Sequence, residues 1–166
     1  MRDLVLIAHN LRSCHNIGSL LRTAEGLGVR KVYLTGYTPY PMAPNDTRLP
    51  HLAVKIDKQI HKTALDAEHQ VTWEHAEDIT VVLKALRSDG YIVAAVEQTK
   101  DSIALPDFKP SQKVALLMGR EVEGVEPEVL AECDQALEIP MFGHKESFNV
   151  VQAAAMALYH CRFYKA

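Results

Sequence analysis

The sequence lacks the features that direct a chain into a membrane or out of the cell. It has no apolar run near the ~18 residues that a bilayer crossing needs. Its first residues lead directly into a short strand pattern instead of a signal peptide. We therefore expect a cytoplasmic protein with no membrane partner. A chain of 166 residues that is 48% hydrophobic can bury a real core, and we predict a single domain over residues 1–166.

Cysteine pairs of the kind that bind zinc or build a disulfide framework are also lacking. The three cysteines, Cys14, Cys133 and Cys161, are odd in number and widely spaced, and no C-x-x-C pair occurs. Cys14 stands beside His15, but the pattern supplies no third group to orient such a pair for nucleophilic attack. We expect reduced thiols, no metal site and no cysteine nucleophile.

The sequence has no excess of positive charge. Lysine and arginine number 18 against 21 aspartates and glutamates, which gives a formal net charge of -3. Nonspecific phosphate binding needs an excess of basic residues, so a general nucleic-acid coat protein is disfavoured. A local basic patch stays open, because several basic residues lie in or beside the motifs described below. They are Arg2, Arg12, Arg22, Arg30, Lys31, Arg120 and Lys145.

What the chain does contain is a regular alternation of short apolar runs and helical periodicity. The apolar runs predict strands at residues 3–8, 31–35, 71–73, 91–96, 114–118 and 135–139. The periodic segments predict helices at residues 16–27, 58–68, 78–87 and 148–164. Near-continuous apolar strands separated by helices indicate a mostly parallel sheet covered on both faces, so the predicted class is α/β.

One predicted loop, residues 37–50, is long for a compact domain. It contains Pro39, Pro41, Pro44 and Pro50 and shows no hydrophobic periodicity. Loops of this length are close to the point where function or disorder is suspected. A surface excursion and a substrate-facing lid both remain open as interpretations.

The segment from Ile139 to Val150 places polar residues where an apolar strand becomes an alanine-rich helix. We predict that Ser147 caps this helix, because a serine oxygen can accept from the first free backbone amides. An ordinary connection needs only that cap. Asn149 is then a surplus amide in the first turn, and buried amides need partners. The competing interpretation is a capped helix that is simply packed by its alanines.

Two further polar segments follow predicted strands, where open α/β sheets bind ligands. Asn16 and Arg22 lie less than two helical turns apart, and we expect both to face the carboxyl edge of the sheet. The alternative is that Asn16 caps the helix and Arg22 is a solvated charge. A second loop is bracketed by Gly119 and Gly124, but it lacks the Lys and Ser or Thr of a phosphate loop. It offers free backbone groups to a planar ligand, with Glu121 as an anchor for an arginine.

Taken in order, three motifs of the chain resemble those of the SpoU or TrmH-like branch of the SPOUT RNA methyltransferases. They are N-x-R-S-x-x-N-x-G-x-x-x-R-T-A, then G-x-E-x-x-G, then I-P-M-x-G-x-x-x-S-x-N-V. The resemblance implies methylation of a ribose 2′-hydroxyl in tRNA or rRNA, with S-adenosylmethionine as cofactor and S-adenosylhomocysteine as product. It also implies a homodimer whose C-terminal third forms a trefoil knot over residues 114–150. The whole chain resembles the catalytic domain alone, with no appended RNA-binding domain.

The resemblance also assigns roles to individual residues. The implied catalytic residues are Arg22, Asn16 and Glu121. The implied cofactor-binding residues are Met118, Gly119, Ile139, Met141, Ser147, Phe148 and Asn149. The expected RNA-binding residues are Asn10, Arg12 and Lys145. No metal is expected, because the sulfonium already activates the methyl group and the protein mainly supplies alignment.

Arg22 is a poor general base, since a guanidinium keeps its proton at physiological pH. We hypothesise that it fixes the target phosphate, while a phosphate oxygen or water accepts the proton. Two other functions stay open: a catalytically silent SPOUT-like module that binds RNA or protein, and methylation of an RNA base.

Overall fold

The computed structural model describes residues 1–165 and contains one seven-stranded sheet in which every neighbouring pair is parallel. The strands are β1 (Asp3–His9), β2 (Lys31–Thr35), β3 (Trp73–Ala76), β4 (Ile92–Val96), β5 (Ile103–Ala104), β6 (Lys113–Met118) and β7 (Gln135–Glu138). Their order across the sheet is β3-β2-β1-β6-β4-β7-β5. The predicted α/β class with a parallel sheet is confirmed.

Helices cover both faces of this sheet. They are α1 (Cys14–Gly26), α2 (Pro50–Ala64), α3 (Ala67–Gln70), α4 (Ile79–Ser88), α5 (Pro127–Ala131) and α6 (Val150–Phe163). Helices α1 and α6 share a core with one face of the sheet, and α4 shares a core with the other. Among residues 1–165, none of the helices has the length and apolar composition that a bilayer crossing requires.

The central strands are buried on both sides, which explains their continuous apolar sequence. In β1, Leu4 and Leu6 belong to the core on one face, whereas Val5 and Ile7 belong to the core on the other. All four side chains are at most 2% exposed. Successive strand residues point to opposite faces, so a strand between two helical layers needs apolar residues at every position.

Several boundaries differ from the predictions. Helix α2 begins at Pro50, not at residue 58, and proline is well suited to the first turn of a helix. Leu65 and Asp66 adopt left-handed conformations with φ of 50° and 72°, which separate α2 from α3. Strand β3 begins at Trp73, not at residue 71. The short elements β5 and α5 were not predicted at all.

The loop between β2 and α2 is fixed by Arg48. Its guanidinium forms a salt bridge with Asp46, donates to the carbonyl oxygens of Tyr40 and Pro41, and lies 3.6 Å from the centre of the Tyr40 ring. The Tyr40 ring stacks in turn on His75, with ring centres 4.0 Å apart. These contacts, and the absence of residues 37–50 from the lining of the cavity described below, favour the surface-excursion interpretation over a substrate-facing lid.

The order of the strands means that the chain twice inserts a strand between others. Strand β6 lies between β1 and β4, and β7 lies between β4 and β5, although β4 and β5 precede both in the sequence. Sequence patterns alone do not predict these insertions.

The end of α6 is tied to the amino edge of the sheet. Arg162 donates to the carbonyl oxygens of Leu27 at 2.8 Å, Gly28 at 2.7 Å and Arg2. Arg2 donates in return to the carbonyl oxygen of Tyr164 at 2.9 Å. Two arginines therefore join the first and last elements through main-chain acceptors.

Candidate active site

A cavity of about 560 Å³ lies at the carboxyl ends of β4, β6 and β7. One wall is the loop of residues 119–124 that follows β6, and the other is the segment of residues 139–148 that follows β7. Parallel sheets bind ligands at this edge, because several strand ends and their loops meet there. Two of the three sequence motifs therefore line one cavity.

Most of the residues that the resemblance assigned to the cofactor line this cavity. They are Met118, Gly119, Ile139, Met141, Ser147 and Phe148. Glu121 and Lys145 line it as well. Asn149 lies directly beside it, at the start of α6. That these residues contact a cofactor stays a prediction.

The loop after β6 needs both of its glycines. A Cβ atom on Gly119 would lie 2.6 Å from Val125 Cγ2 and 2.7 Å from Val125 N. Gly124 has a φ of 73°, and a Cβ there would lie 2.2 Å from Glu97 Oε2. Glu97 Oε2 also accepts a hydrogen bond from Val125 N at 3.0 Å. Glu97 thus holds the loop in place. The sequence did not predict this role, and its one indication was that Glu97 is an acidic residue directly after a buried strand.

The cap of α6 is Asn149, so the prediction that Ser147 caps the helix is wrong. Asn149 Oδ1 accepts from Val151 N at 2.9 Å, because α6 begins two residues later than expected. Ser147 is left free to line the cavity. Only the nitrogen of the Asn149 amide is therefore free of the cap. Its oxygen caps the helix, while its Nδ2 donates to Asn16 Oδ1 at 3.4 Å.

Asn16 connects all three motifs. Ser13 is the cap of α1 and accepts from Asn16 N at 3.1 Å, so the alternative that Asn16 caps the helix is wrong. The Asn16 side chain instead donates to Glu121 Oε1 at 3.4 Å and accepts from Asn149. Both bonds are long for their type, and all three groups are solvent-accessible. Such weak contacts are readily exchanged for contacts with a ligand.

Arg22 is not brought into this network. Its side chain is exposed on α1, and within residues 1–165 it neither lines the cavity nor makes a side-chain hydrogen bond. Residues six positions apart point about 120° apart around a helix, so Asn16 and Arg22 project in different directions. The guanidinium is left available for an external anion.

The three expected RNA-binding residues differ in how free they are. Asn10 Oδ1 accepts from Tyr37 N at 3.1 Å, and its Nδ2 donates to Glu126 Oε1 at 2.8 Å. Arg12 is exposed and lies 5.8 Å from the centre of the Tyr37 ring. Lys145 is exposed beside the cavity. Asn10 therefore has a structural role, while the two cations remain accessible, and RNA contact stays a prediction for all three.

A buried histidine lies next to the site and was missed by the sequence analysis. His9, at the end of β1, is only 5% exposed, and its Nε2 lies 3.4 Å from Glu126 Oε2. Burial lowers the pKa of His9, and the nearby Arg120 lowers it further, against the attraction of Glu126. Burial acts to raise the pKa of Glu126, but the Asn10 hydrogen bond and the charges of His9 and Arg120 lower it overall. The sequence feature that could have indicated this buried histidine is its position as a polar residue at the end of an apolar strand.

Comparison with known proteins agrees with this geometry. Residues 3–159 match the profile of the SpoU rRNA Methylase family. The chain belongs to this family. The match covers the three motifs, both walls of the cavity and most of α6.

Relatives of this SpoU family member act on RNA according to their names. The 23S rRNA (guanosine-2'-O-)-methyltransferase of Bordetella pertussis is 31% identical over 157 residues, which are 94% of this chain and 58% of that protein. The chain thus spans less than two thirds of this relative.

Two solved structures share the fold. The AdoMet-bound rRNA methyltransferase from Sinorhizobium meliloti has a TM-score of 0.79 and 22% identity, with 96% of this chain and 56% of that chain covered. A structure concerned with 2-OH methylation of C/U34 on tRNA has a TM-score of 0.78 and 24% identity, with 96% and 94% covered.

Proposed function

We propose that this chain binds S-adenosylmethionine in the cavity at the carboxyl edge and transfers its methyl group to a ribose 2′-hydroxyl of tRNA or rRNA. One observation carries the proposal. Asn16, Glu121 and Asn149 come from three motifs that are 105 and 133 residues apart from Asn16, yet their side chains meet beside one cavity. Family membership and the names of the relatives point to the same chemistry.

The cavity fits the cofactor in size, shape and charge. Its volume of about 560 Å³ is within the range of small-molecule sites. Gly119 lets the loop after β6 pack directly on Val125, where any side chain would collide, and this packing fixes the backbone that forms one wall of the cavity. Its lining includes five glutamates against one arginine and one lysine, an acidic environment that suits a ligand carrying a sulfonium and an ammonium group. The acids are Glu97, Glu121, Glu123, Glu138 and Glu146.

When bound, S-adenosylmethionine supplies a methyl group that its positive sulfur makes electrophilic. The protein's own residues position the acceptor. Arg22 holds a phosphate of the RNA as a fixed cation, because it has no competing partner among residues 1–165. Asn16 and Glu121 exchange their mutual 3.4 Å contact for hydrogen bonds to the ribose. A phosphate oxygen or water accepts the hydroxyl proton, and Arg22 stabilises the negative charge that develops on the oxygen.

The RNA class is left as tRNA or rRNA. The Bordetella relative is named for rRNA, and one similar fold concerns tRNA. The accessible cations Arg12 and Lys145 are proposed to contact the RNA backbone, together with Asn10. Specificity for one nucleotide depends on the shape of the assembled surface.

We further propose that residues 114–150 form the trefoil knot of the family. The support is the double insertion of β6 and β7 between neighbouring strands, which an ordinary outward-winding sheet does not have. Most of the residues that line the cavity belong to the same stretch of chain, so the knot and the cofactor site would share their structure.

A homodimer is proposed from the outer face of α6. Tyr159 and Phe163 are 60% and 57% exposed, unusually large values for aromatic residues in a folded chain. They border a largely apolar groove of about 540 Å³ with Ala155, Met156, His160 and Tyr164. A second copy of the same helix would cover this face. Sedimentation of the wild-type protein as a monomer at micromolar concentration would contradict the dimer.

The first test is a calorimetric titration with S-adenosylmethionine and with S-adenosylhomocysteine. We expect saturable binding near one per chain for both. Gly119→Ala should weaken binding at least about tenfold, because the loop must move to admit the methyl group. Gly26→Ala is the matched control, since Gly26 ends α1, does not line the cavity, and would carry a Cβ with nothing within 4 Å, so this variant should bind like wild type. Folded wild-type protein that binds neither ligand would favour the silent module.

The second test is nucleoside analysis of RNA incubated with the enzyme and labelled cofactor. Digestion of tRNA and rRNA should yield a 2′-O-methyl nucleoside, which resists alkaline cleavage at its 3′ side. A methylated base would overturn ribose specificity but keep the methyltransferase proposal. If the protein binds the cofactor but labels neither RNA, the proposed cofactor site is supported. Methyl transfer to tRNA or rRNA is then rejected.

A further inference from the structure

A cluster of three side chains lies at the turn between α2 and α3, away from the cavity. His61 belongs to the last turn of α2, Asp66 to the left-handed turn, and Glu68 to α3. One ligand-capable atom of each residue lies within 4.8 Å of the other two. His61 Nδ1 is 2.5 Å from Glu68 Oε1 and 3.9 Å from Asp66 Oδ1. The cluster thus combines one imidazole nitrogen with two carboxylate oxygens.

The carboxylate of Glu68 is the unusual member of this cluster. Its side chain is only 2% exposed, and Oε2 is buried without any hydrogen-bond partner among residues 1–165. Oε1 bonds only to His61, with His69 Nε2 at 3.7 Å as the next nearest base. A buried carboxylate is costly unless it is paired, hydrogen-bonded or bound to a metal. Within the described residues Glu68 therefore has a short contact to His61 through Oε1 and a second oxygen that is left to accept another partner.

The charge within the cluster is not balanced by its own members. Two carboxylates face the single imidazole of His61, so the cluster keeps negative charge in either protonation state of the ring. No lysine or arginine forms an ion pair with Asp66 or Glu68 in the part of the chain that the structure describes. A divalent cation would neutralise both acids at once.

We propose that His61, Asp66 and Glu68 bind a divalent transition-metal ion such as Zn²⁺, with His69 or water in the remaining position. Zinc accepts imidazole nitrogen and carboxylate oxygen at about 2.0–2.2 Å, which sets its ligand atoms roughly 3–4 Å apart. The separation of 3.9 Å between His61 Nδ1 and Asp66 Oδ1 already lies in that range, and His61 and Glu68, now 2.5 Å apart, would have to move apart by about 1 Å to admit the ion. A mixed nitrogen and oxygen donor set without sulfur suits Zn²⁺ and disfavours Cu(I), which prefers thiolates and thioethers.

The ion would have a structural role. It would join α2 to α3, and the carbonyl oxygen of Glu68 already accepts from Trp73 Nε1 at 3.1 Å, so the link would extend to β3. Strand β3 is at the edge of the sheet, on the far side of β1 from the cavity strands β4 and β7. The expectation that methyl transfer itself needs no metal is unaffected.

The test is a zinc titration of untagged, metal-free protein near pH 7, followed by calorimetry and by thermal unfolding. We expect one Zn²⁺ per chain and a higher Tm with zinc. Asp66→Asn should weaken zinc binding by about tenfold or more, because it removes a charged ligand. Its side chain is 75% exposed, so this variant should fold like wild type without metal. His61→Ala should show the same loss of zinc binding.

His51→Ala is the matched control, since His51 is exposed at the other end of α2 and should leave zinc binding unchanged. Wild-type protein without saturable zinc uptake would overturn the proposal, and the His61 and Glu68 contact would then be an ordinary ion pair. Uptake that is equal in wild type, Asp66→Asn and His61→Ala would overturn it as well. None of these outcomes depends on methyltransferase activity.

Discussion

At both the amino and the carboxyl edge of the sheet, polar side chains connect distant parts of the chain. The hydrogen bonds at the two edges differ in length. At the amino edge, Arg162 donates to Leu27 and Gly28 at 2.8 and 2.7 Å. At the carboxyl edge, Asn16 contacts Glu121 and Asn149 at 3.4 Å each. Short charge-assisted bonds to main-chain oxygens hold a fold together, whereas long contacts between exposed side chains are available for exchange.

This contrast predicts that variants at the two edges have separate effects. Changes at the amino edge should reduce the free energy of unfolding and leave ligand binding alone. Changes at the carboxyl edge should reduce binding or turnover at little cost in stability.

The largest effect is expected for Arg22→Ala. It should lower methyl transfer at least about 100-fold, or ~2.7 kcal/mol, because the cation that fixes the RNA phosphate and stabilises charge on the reacting ribose oxygen is lost. The free energy of unfolding should stay within about 0.5 kcal/mol, as for other exposed residues without partners. Single-turnover assays and urea unfolding measure the two quantities. Arg87→Ala, outside the cavity on α4, is the control that should keep full turnover. Nearly full turnover by Arg22→Ala would contradict the fixed-cation role, and nearly full turnover by Arg22→Lys would show that the planar guanidinium geometry is not needed.

Arg162→Ala is expected to have the next largest effect, and only on stability. Loss of a charged donor to three main-chain oxygens should reduce the free energy of unfolding by about 2–3 kcal/mol. Calorimetry should give unchanged affinity for S-adenosylmethionine. Arg30→Ala is the control: its guanidinium donates to Asp3 and to Tyr91 but is 67% exposed, so its loss should cost much less stability than the loss of Arg162. Weaker cofactor binding by Arg162→Ala would break the distinction between the edges.

Asn149 is predicted to contribute both to stability, as the cap of α6, and to cofactor binding. Asn149→Ala should cost about 1 kcal/mol of stability through the lost α6 cap. It should also weaken cofactor binding about fivefold to tenfold, near 1 kcal/mol. Asn149→Asp keeps the cap oxygen but replaces the Nδ2 donor, so it should restore stability and not binding. Recovery of both properties in Asn149→Asp would show that Asn149 acts only as a cap.

The smallest effect is a pH dependence of stability that comes from His9. Burial lowers its pKa, so the unfolded chain takes up the proton first as the pH falls through the ordinary 6.5. Stability from this group is complete above that value and decreases below it. His9→Gln should therefore show a flatter loss of unfolding free energy between pH 7 and pH 5 in urea titrations. Equal slopes for wild type and His9→Gln would mean that the histidine does not contribute.

The strands could be predicted from sequence because a sheet buried on both faces demands continuous apolar runs. Leu116 and Leu117 in β6 are 0% exposed on opposite faces, and no surface strand has that pattern. The two-residue strand β5 and the five-residue helix α5 are too short for any periodicity to be seen.

The sequence predicted most of the residues of the site but not the contacts between them. The motifs indicated which residues line the cavity, but Ser147 and Asn149 are both good caps, and only the backbone conformation decides between them. The bonds from Asn16 to Glu121 and Asn149 depend on which strands become neighbours, which local sequence does not encode. The same applies to Glu97, whose contact with Val125 joins the end of β4 to the loop that follows β6.

The insertion of β6 between β1 and β4 has a consequence for synthesis on the ribosome. Strands β1, β2 and β3 can pair as soon as they emerge, but β4 has no partner until β6 arrives, because its two neighbours in the sheet are β6 and β7. The apolar strand β4 therefore stays unpaired and exposed while the following segments are translated. Contacts between residues so far apart in sequence also make folding slow. We expect the nascent chain to be most prone to aggregation, and most in need of chaperones, during this interval.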